Sequence, residues 1–320
     1  MPSPRDPELL AKAARLYFLE DRSQDDVAAV LGTTRSNVSR MLKQARDLGI
    51  VDIRIVDPAG RDHELERALR ERFGLVDARV LQAAPEADVL SGVGRLAARW
   101  LEETLRDGQV VALSWGQTLQ AMVRAVDGLA RRDVEVVQLV GGLSALDSAR
   151  TGQEVVHELS ERMGARLRYL HAPALLGSAE ALTMMLREPE IADALDAAKA
   201  ADIAVVGIGT PGLGSSKALI DALRLSPAQR ADFDAAGAVG DVCARFYDLS
   251  GNEVGGAVGE RVLAVTLDDL RASPTVTGVA AGPEKAPGIL GALRGRIIDV
   301  LVCDQEAAGS VLTLDRTGRA

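Results

Sequence analysis

Aromatic side chains make up only 3% of the 320 residues, so the core must be built from Ala, Val and Leu. Cysteine is nearly absent: Cys243 and Cys303 both sit in apolar, strand-like runs, where buried free thiols are the default. The three histidines, His63, His157 and His171, are scattered, and no Cys/His spacing suits zinc. No apolar run approaches the roughly 18 residues that a membrane span needs. The N-terminus "MPSPRDPELL" has no apolar signal core, which predicts a cytoplasmic protein. Neither a GxGxxG fingerprint with its acidic partner nor a GxxxxGK[ST] loop occurs, so NAD and nucleoside triphosphates are disfavoured and no cofactor is expected.

What is present is divided in two. Hydrophobic residues reach 47%, enough for a substantial core, and the length suggests two domains. Residues 1–57 hold nine basic and nine acidic residues, whereas residues 58–320 hold 28 and 37 and so carry the whole net charge of −9. The change falls near Asp57-Pro58-Ala59-Gly60, a boundary between domains 1–57 and 58–320.

The neutral segment contains a directional basic patch: Gly32 to Arg46 carries Arg35, Arg40, Lys43 and Arg46 and no acid. Leu9, Leu10, Ala13, Leu16, Tyr17 and Leu19 have helical spacing over 8–20. Ser23 is a good N-cap for a second helix, with Asp26 three residues on, Val27, Val30 and Leu31 behind it, and Gly32 to close it. A third helix begins near Thr34 or Ser36, buries Val38, Met41, Leu42, Ala45 and Leu48, and stops at Gly49. Its other face presents Arg35, Ser36, Asn37, Ser39, Arg40 and Lys43, types that contact base edges and phosphates. This is the helix-turn-helix plan, whose second helix enters the major groove N-terminal end first. Ser23, Thr33 and Thr34 complete the candidate DNA contacts. "IVDIRIVD" alternates Val51, Ile53 and Ile55 with polar residues, as a strand in a winged variant would.

In the acidic segment, residues 61–73 form a candidate amphipathic helix ending at Gly74. Apolar runs at 77–82, 109–114, 134–142, 165–173, 202–209, 276–282 and 297–304 then alternate with helical patterns at 86–106, 117–130, 151–163, 178–199, 216–235 and 284–295. Val-rich, non-alternating strands between helices predict an α/β fold, a mainly parallel sheet covered on both faces. Residues 238–265 read instead as antiparallel strands around a Ser-Gly-Asn turn. Several strands end in Gly-rich or hydroxyl-bearing loops: Ser114-Trp115-Gly116-Gln117-Thr118, Gly141-Gly142-Leu143-Ser144, Gly207-Ile208-Gly209-Thr210-Pro211-Gly212 and Gly282-Pro283-Glu284-Lys285. Ligands of open α/β sheets bind outside such strand ends, and glycines let backbone N–H groups approach an anion. Thr118 and Lys285 could complete a phosphate site.

The chain resembles, over nearly its full length, the SorC/DeoR-type sugar-binding transcriptional regulators of bacteria. The resemblance rests on "AARLYFLEDRSQDDVAAVLGTTRSNVSRMLKQARDLGIVDIRI", "VALSWGQTL", "GDVCARFYDLSGN" and "VTGVAAGPEKAPGILGALRGRIIDVLVCDQEAA". It implies a Rossmann-like effector domain akin to sugar-phosphate isomerases, operator DNA as one partner, a phosphorylated sugar or polyol as effector, and a homo-oligomer, dimer or tetramer. By position it carries over Gly116, Thr118, Gly141, Gly142, Asp241 and Lys285 as effector-site candidates; the loops add Ser114, Gln117, Gly207 and Gly209. Cys303 stands where Thr is common, and Pro287 and Gly288 where the family has an Ala-rich helix start, departures that would reshape the pocket. The competing expectation is a sugar-phosphate isomerase, aldolase or deaminase with an attached DNA-binding head. Lys285 would then be an amine nucleophile or phosphate clamp and Asp241 or Asp304 a base, although no His lies in the Gly loops. A ligand-free architectural DNA binder fits poorly with so acidic a second segment.

Overall fold

The computed structural model describes residues 6–51, 60–82, 88–127, 133–142 and 152–318. The chain divides into two compact units, Met1–Val56 and Asp57–Ala320.

The first unit packs helices Pro7–Ala14, Gln24–Leu31 and Arg35–Asp47 around Leu10, Ala13, Leu16, Val27, Val38, Met41, Leu42 and Ala45. Each of the three is started by a side chain: Asp6 accepts from the Glu8 N–H, Ser23 and Asp26 form a capping box, and Thr34 accepts from the Asn37 N–H. Four apolar positions of the sequence reading are exposed, Leu9, Val30, Leu19 and Leu48, and the last two have a local cause. Leu19 is 79% exposed because the first helix passes into a π turn, Arg15–Leu19, with the Glu20 N–H bonded five residues back to the Arg15 carbonyl. Leu48 is 57% exposed because the third helix ends at Asp47 and the chain leaves through Gly49 at φ 70°. Ile50 and Val51 pack on this core, while most of the strand expected over 50–57 lies outside the described residues, as do Asp57 to Ala59 at the expected boundary.

The second unit opens with helix His63–Phe73, capped by Asp62 and closed by Gly74 in the left-handed region. Its strands are β1 (Asp77–Leu81), β2 (Val110–Leu113), β3 (Glu135–Gln138), β4 (Arg166–Arg168), β5 (Ile203–Gly207), β6 (Gly240–Val242), β7 (Arg245–Tyr247), β8 (Val276–Val279) and β9 (Val300–Asp304). Seven form one sheet in the order β1-β9-β8-β5-β2-β3-β4, and every pair is parallel. Apolar clusters cover both faces, which is why β5 and β9 read as unbroken Val/Ile/Leu/Ala runs. The chain moves one way from β2, through β3 to β4, and the other way from β5, through β8 to β9. The order therefore reverses between β2 and β5, the place where an open α/β sheet leaves a crevice at the carboxyl ends of its strands.

Three stretches differ from their sequence reading. The helix expected over 178–199 is two, Ala179–Met185 and Pro189–Lys199, and that over 216–235 is Gly214–Ala222 and Pro227–Ala235. In both, proline occupies the first position of the second helix, where its missing N–H does no harm. In 238–265 the antiparallel partners are β6 and β7, and their reversal is Cys243-Ala244, both at positive φ (50° and 62°), not the Ser-Gly-Asn segment. Ser250 and Asn252 instead give their N–H groups to the Asp248 carboxylate, while Val262 and Ala264 make single bridges to Leu175 and Val140. A helix that the sequence reading did not anticipate, Gln305–Thr317, follows β9 and is capped by Asp304.

Candidate functional site

At the β2/β5 reversal the sheet opens into a cleft of about 490 Å³. Its floor is the β5 end. Gly207 gives its N–H to the Ser114 hydroxyl (3.1 Å), and Gly209 and Asp241 exchange backbone hydrogen bonds (2.9 and 3.4 Å). Side chains are excluded here by contact. A Cβ on Gly207 would lie 2.9 Å from the Trp115 carbonyl, and one on Gly209 would fall on Asp241 Oδ1 and Ser216 Oγ.

Two helices begin at the cleft, Gln117–Ala125 after β2 and Gly214–Ala222 after β5, and neither has a side-chain cap. After β8 the 3-10 turn Pro283–Lys285 brings Glu284 and Lys285 to it, and helix Ala286–Arg294 continues that turn with its Ala286 N–H bonded to the Pro283 carbonyl. Gly116, ahead of the first, sits at φ 135°, a conformation that glycine tolerates and that leaves the following N–H groups open to the cleft. Oriented N–H groups and the helix dipole together favour an anion at such a start. Thr118 lines the cleft in the first turn of that helix, and Lys285 lines it from the 3-10 turn.

The charged side chain at the far end is Asp241, 6% exposed, whose Oδ1 accepts from Ser216 Oγ at 2.5 Å. Burial pushes its carboxyl up to about 6; the Ser216 hydroxyl, the Lys285 charge and the Ala244 N–H hold it from rising further. Burial, with the neighbouring Asp241 carboxylate, also pushes the Cys243 thiol up, so it lines the cleft as a neutral thiol. Behind it, Tyr247 donates its hydroxyl to the Gly288 carbonyl (3.0 Å), anchoring the hairpin to the helix that follows Lys285.

Of the residues singled out from the sequence, Ser114, Gly116, Gln117, Thr118, Gly207, Gly209, Asp241 and Lys285 come together around this cleft. Gly141 and Gly142 do not line it. Their N–H groups are bonded to the Leu263 and Ala172 carbonyls, and a Cβ on Gly141 would strike Ala172 and Pro173, so they serve close chain packing. Leu143 and Ser144 of that loop lie outside the described residues. Cys303 is buried in β9, Pro287 lines a separate cavity and Gly288 packs against Gly209 and Gly240, so none of the three lines this cleft. Sequence reasoning missed Leu213 to Ser216. The signal was there in "GLGSS", where the Gly-rich loop runs directly into the apolar positions Leu219 and Ile220. His157 and His171 gather beside Tyr169 on the surface, with Tyr169 Oη 3.1 Å from His157 Nδ1, and no His lines the cleft among the described residues.

On the first unit, Gly32 at φ 62°, Thr33 and Thr34 join two helices, and Arg35, Ser36, Ser39, Arg40 and Lys43 are exposed on the second. Asn37 is half-buried and donates from Nδ2 to the Thr33 hydroxyl at 2.9 Å. Ser23 is exposed, but its hydroxyl donates to the Asp26 carboxylate (2.6 Å). Arg35 reaches across to Asp25 at 3.9 Å, an exposed and weak ion pair.

Residues 57–313 match the family model described as "Putative sugar-binding domain". The chain is 33% identical to the deoxyribonucleoside regulator of Bacillus subtilis over 95% of its own length and 97% of that protein's. It is 32% identical to the sorbitol operon regulator of Klebsiella pneumoniae, covering 96% and 98%. The crystal structure of the full-length Klebsiella regulator, SorC, superposes with a TM-score of 0.72, covering 96% of this chain and 99% of that one. With the cleft at the switch point of its parallel sheet and similarity along nearly its whole length, the chain belongs to the SorC/DeoR-type family of sugar-binding transcriptional regulators.

Proposed function

We propose that this protein is a DNA-binding regulator of carbohydrate catabolism genes, controlled by a phosphorylated sugar or polyol held in the cleft of its second unit. The observation that carries the reading is the convergence there of two uncapped helix starts with the Lys285 ammonium. Ser114, Gly116, Gln117, Thr118, Gly207, Gly209, Asp241 and Lys285 are the effector contacts. The phosphate takes backbone N–H groups and the Thr118 hydroxyl at the Gly116 turn, and hydroxyls of the carbon chain meet Asp241 and Lys285.

DNA is bound by the other unit. The exposed start of helix Arg35–Asp47 enters the major groove, with Arg35, Ser36, Asn37, Ser39 and Arg40 at base edges and Lys43, Thr34, Thr33 and Ser23 at the backbone. The domain boundary follows the charge step near residue 57. The protein works in the cytoplasm as a homo-oligomer, dimer or tetramer, which presents paired heads to repeated half-sites. Among the described residues, no helix is long and apolar enough to cross a membrane. The enzyme alternative, with Lys285 as nucleophile and Asp241 as base, has less support: the relatives are named as regulators and the described cleft brings no His to the Lys.

The test is a thermal-shift screen of sugar and polyol phosphates, followed by footprinting of the promoter beside the protein's own gene with and without each hit. A stabilising ester that changes occupancy of a repeated site, with binding falling steeply as salt rises, is the expected result. No protected DNA at low salt, or turnover of the ester that disappears in Lys285→Ala, overturns the reading.

A further inference from the structure

Helix Ala179–Met185 is the only α-helix among the described residues with no buried side chain. Ser178 caps its start, accepting from the Ala181 N–H at 3.2 Å. Its inner side, Leu182 and Met185, packs on the core only as partly buried neighbours. Its outer side is more open still. Of the exposed large apolar side chains of the second unit, Val76, Met184, Leu186 and Leu213, two fall in this short stretch, with Met184 67% exposed. An apolar row left open on a helix that buries nothing else is a surface that another body covers.

The order of the side chains on that row says what the other body is. Glu180, Thr183, Met184 and Arg187 are all exposed, and their spacing places them on one side of the helical surface. Arg187 lies just past the end of the helix, but its N–H is bonded to the Met184 carbonyl at 3.1 Å, which keeps the turn going. Thr183 donates its hydroxyl to the Ala179 carbonyl at 3.0 Å and so turns a methyl outward. Glu180 accepts from the Ser178 hydroxyl at its own helix start, and Arg187 has no carboxylate partner among the described residues. The row therefore has a carboxylate at one end, a guanidinium at the other and an apolar middle.

We propose that this row is a contact between two copies of the chain, packed antiparallel across a two-fold axis that passes between residues 183 and 184. Turned about that point, Glu180 of each copy meets the partner's Arg187, and Met184 of each packs on the partner's Thr183. The two charged ends stand about 10 Å apart along the helix, so both ion pairs form at once. Parallel packing would set like charge against like. Only a second copy answers the row residue for residue, which is why the partner is this chain and not an unrelated protein. The inference rests on the preceding reading of the protein as a homo-oligomer and adds the surface and its symmetry. Two helical turns fall short of the roughly 800 Å² that each partner of a stable interface buries, so the row is the centre of a wider contact, to which Leu186 adds.

The test is sedimentation equilibrium of the full chain, wild type against the charge reversals Glu180→Arg and Arg187→Glu. Each reversal turns both ion pairs of the two-fold contact into repulsions and should weaken association about tenfold or more. An equal mixture of the two variants should regain wild-type association, because each chain then supplies the charge that the other lacks. Both side chains are exposed, and recovery in the mixture shows that neither variant is misfolded. Association unchanged in both variants, or weakened without recovery on mixing, overturns the proposal. If wild-type protein stays monomeric at every concentration, the homo-oligomer reading falls and this inference with it. If an oligomer forms and ignores both reversals, only this inference falls.

Discussion

The helices of the first unit and those that open on the cleft start in opposite ways. In Met1–Val56 the three described α-helices begin on a side chain of the chain itself: Asp6, Ser23 with Asp26, and Thr34. Around the cleft of Asp57–Ala320, two helices begin on glycine or leucine with no side-chain acceptor; elsewhere in that unit Asp62, Asp88, Ser178, Ser226, Thr266 and Asp304 do cap, while Pro189–Lys199 and Gly256–Gly259 do not have a side-chain cap. A capped start completes a helix and leaves its flanks to touch something else. An uncapped start turned into a cleft keeps its N–H groups for a ligand. On the proposed reading, the first unit offers side chains to DNA, and the second adds backbone N–H groups to the side chains of its cleft.

The contrast can be broken most severely at Gly209. Gly209→Ala drives Asp241 and Ser216 apart; it should cost about 2–4 kcal/mol in urea unfolding and abolish calorimetric binding of phosphate esters. Asp241 itself makes stability depend on pH. Its carboxyl is raised from 3.8 to about 6, so folding favours the protonated form. The stability this confers is complete below about pH 4 and is lost as pH rises to about 6, up to about 3 kcal/mol. Urea midpoints from pH 4 to 7 should therefore show wild type declining relative to Asp241→Asn, whose difference curve should be flat above pH 7. Next is Gln117→Glu, which places a carboxylate in the first turn beside Gly116. It should raise stability by about 0.3–1 kcal/mol through the helix dipole while weakening ester binding at least tenfold, opposite signs that thermal melts and calorimetry read together. The smallest effect is at the other unit. Thr34→Ala removes a cap and should cost about 1 kcal/mol in local stability, read by hydrogen exchange of helix Arg35–Asp47, with no change in ester affinity.

The sheet was highly legible, and for a physical reason. Strands buried on both faces leave continuous Val/Ile/Leu/Ala runs, and all seven sheet strands lie within runs visible in the sequence. The cleft was partly legible because Gly-rich loops mark close approach of backbone, but the same signal misled at Gly141 and Gly142, where the close approach is to Ala172 and Pro173. Asp241 could be placed only by resemblance. Its burial depends on a hairpin whose reversal, Cys243-Ala244, carries no turn-forming residue type. Leu19 was misread because a single π turn shifts the helical phase without altering the spacing of apolar residues. The helix Gln305–Thr317 was overlooked because its polar and apolar positions follow β9 without a Gly or Pro break.

The pairing of β1 with β9 also has a kinetic side. Asp77 sits opposite Val300, so among the described residues β1 waits about 220 residues for its sheet neighbour β9, held until then only by the Arg61 bridge to Leu81. At the roughly 5–20 residues per second of synthesis, that is on the order of 10–45 s during which β1 has no strand beside it. Both ends of this unit must be in hand before β1 is paired, so nascent chains halted before β9 should be protease-sensitive at β1. The protein would then enter service as a sensor only once its last strand has docked.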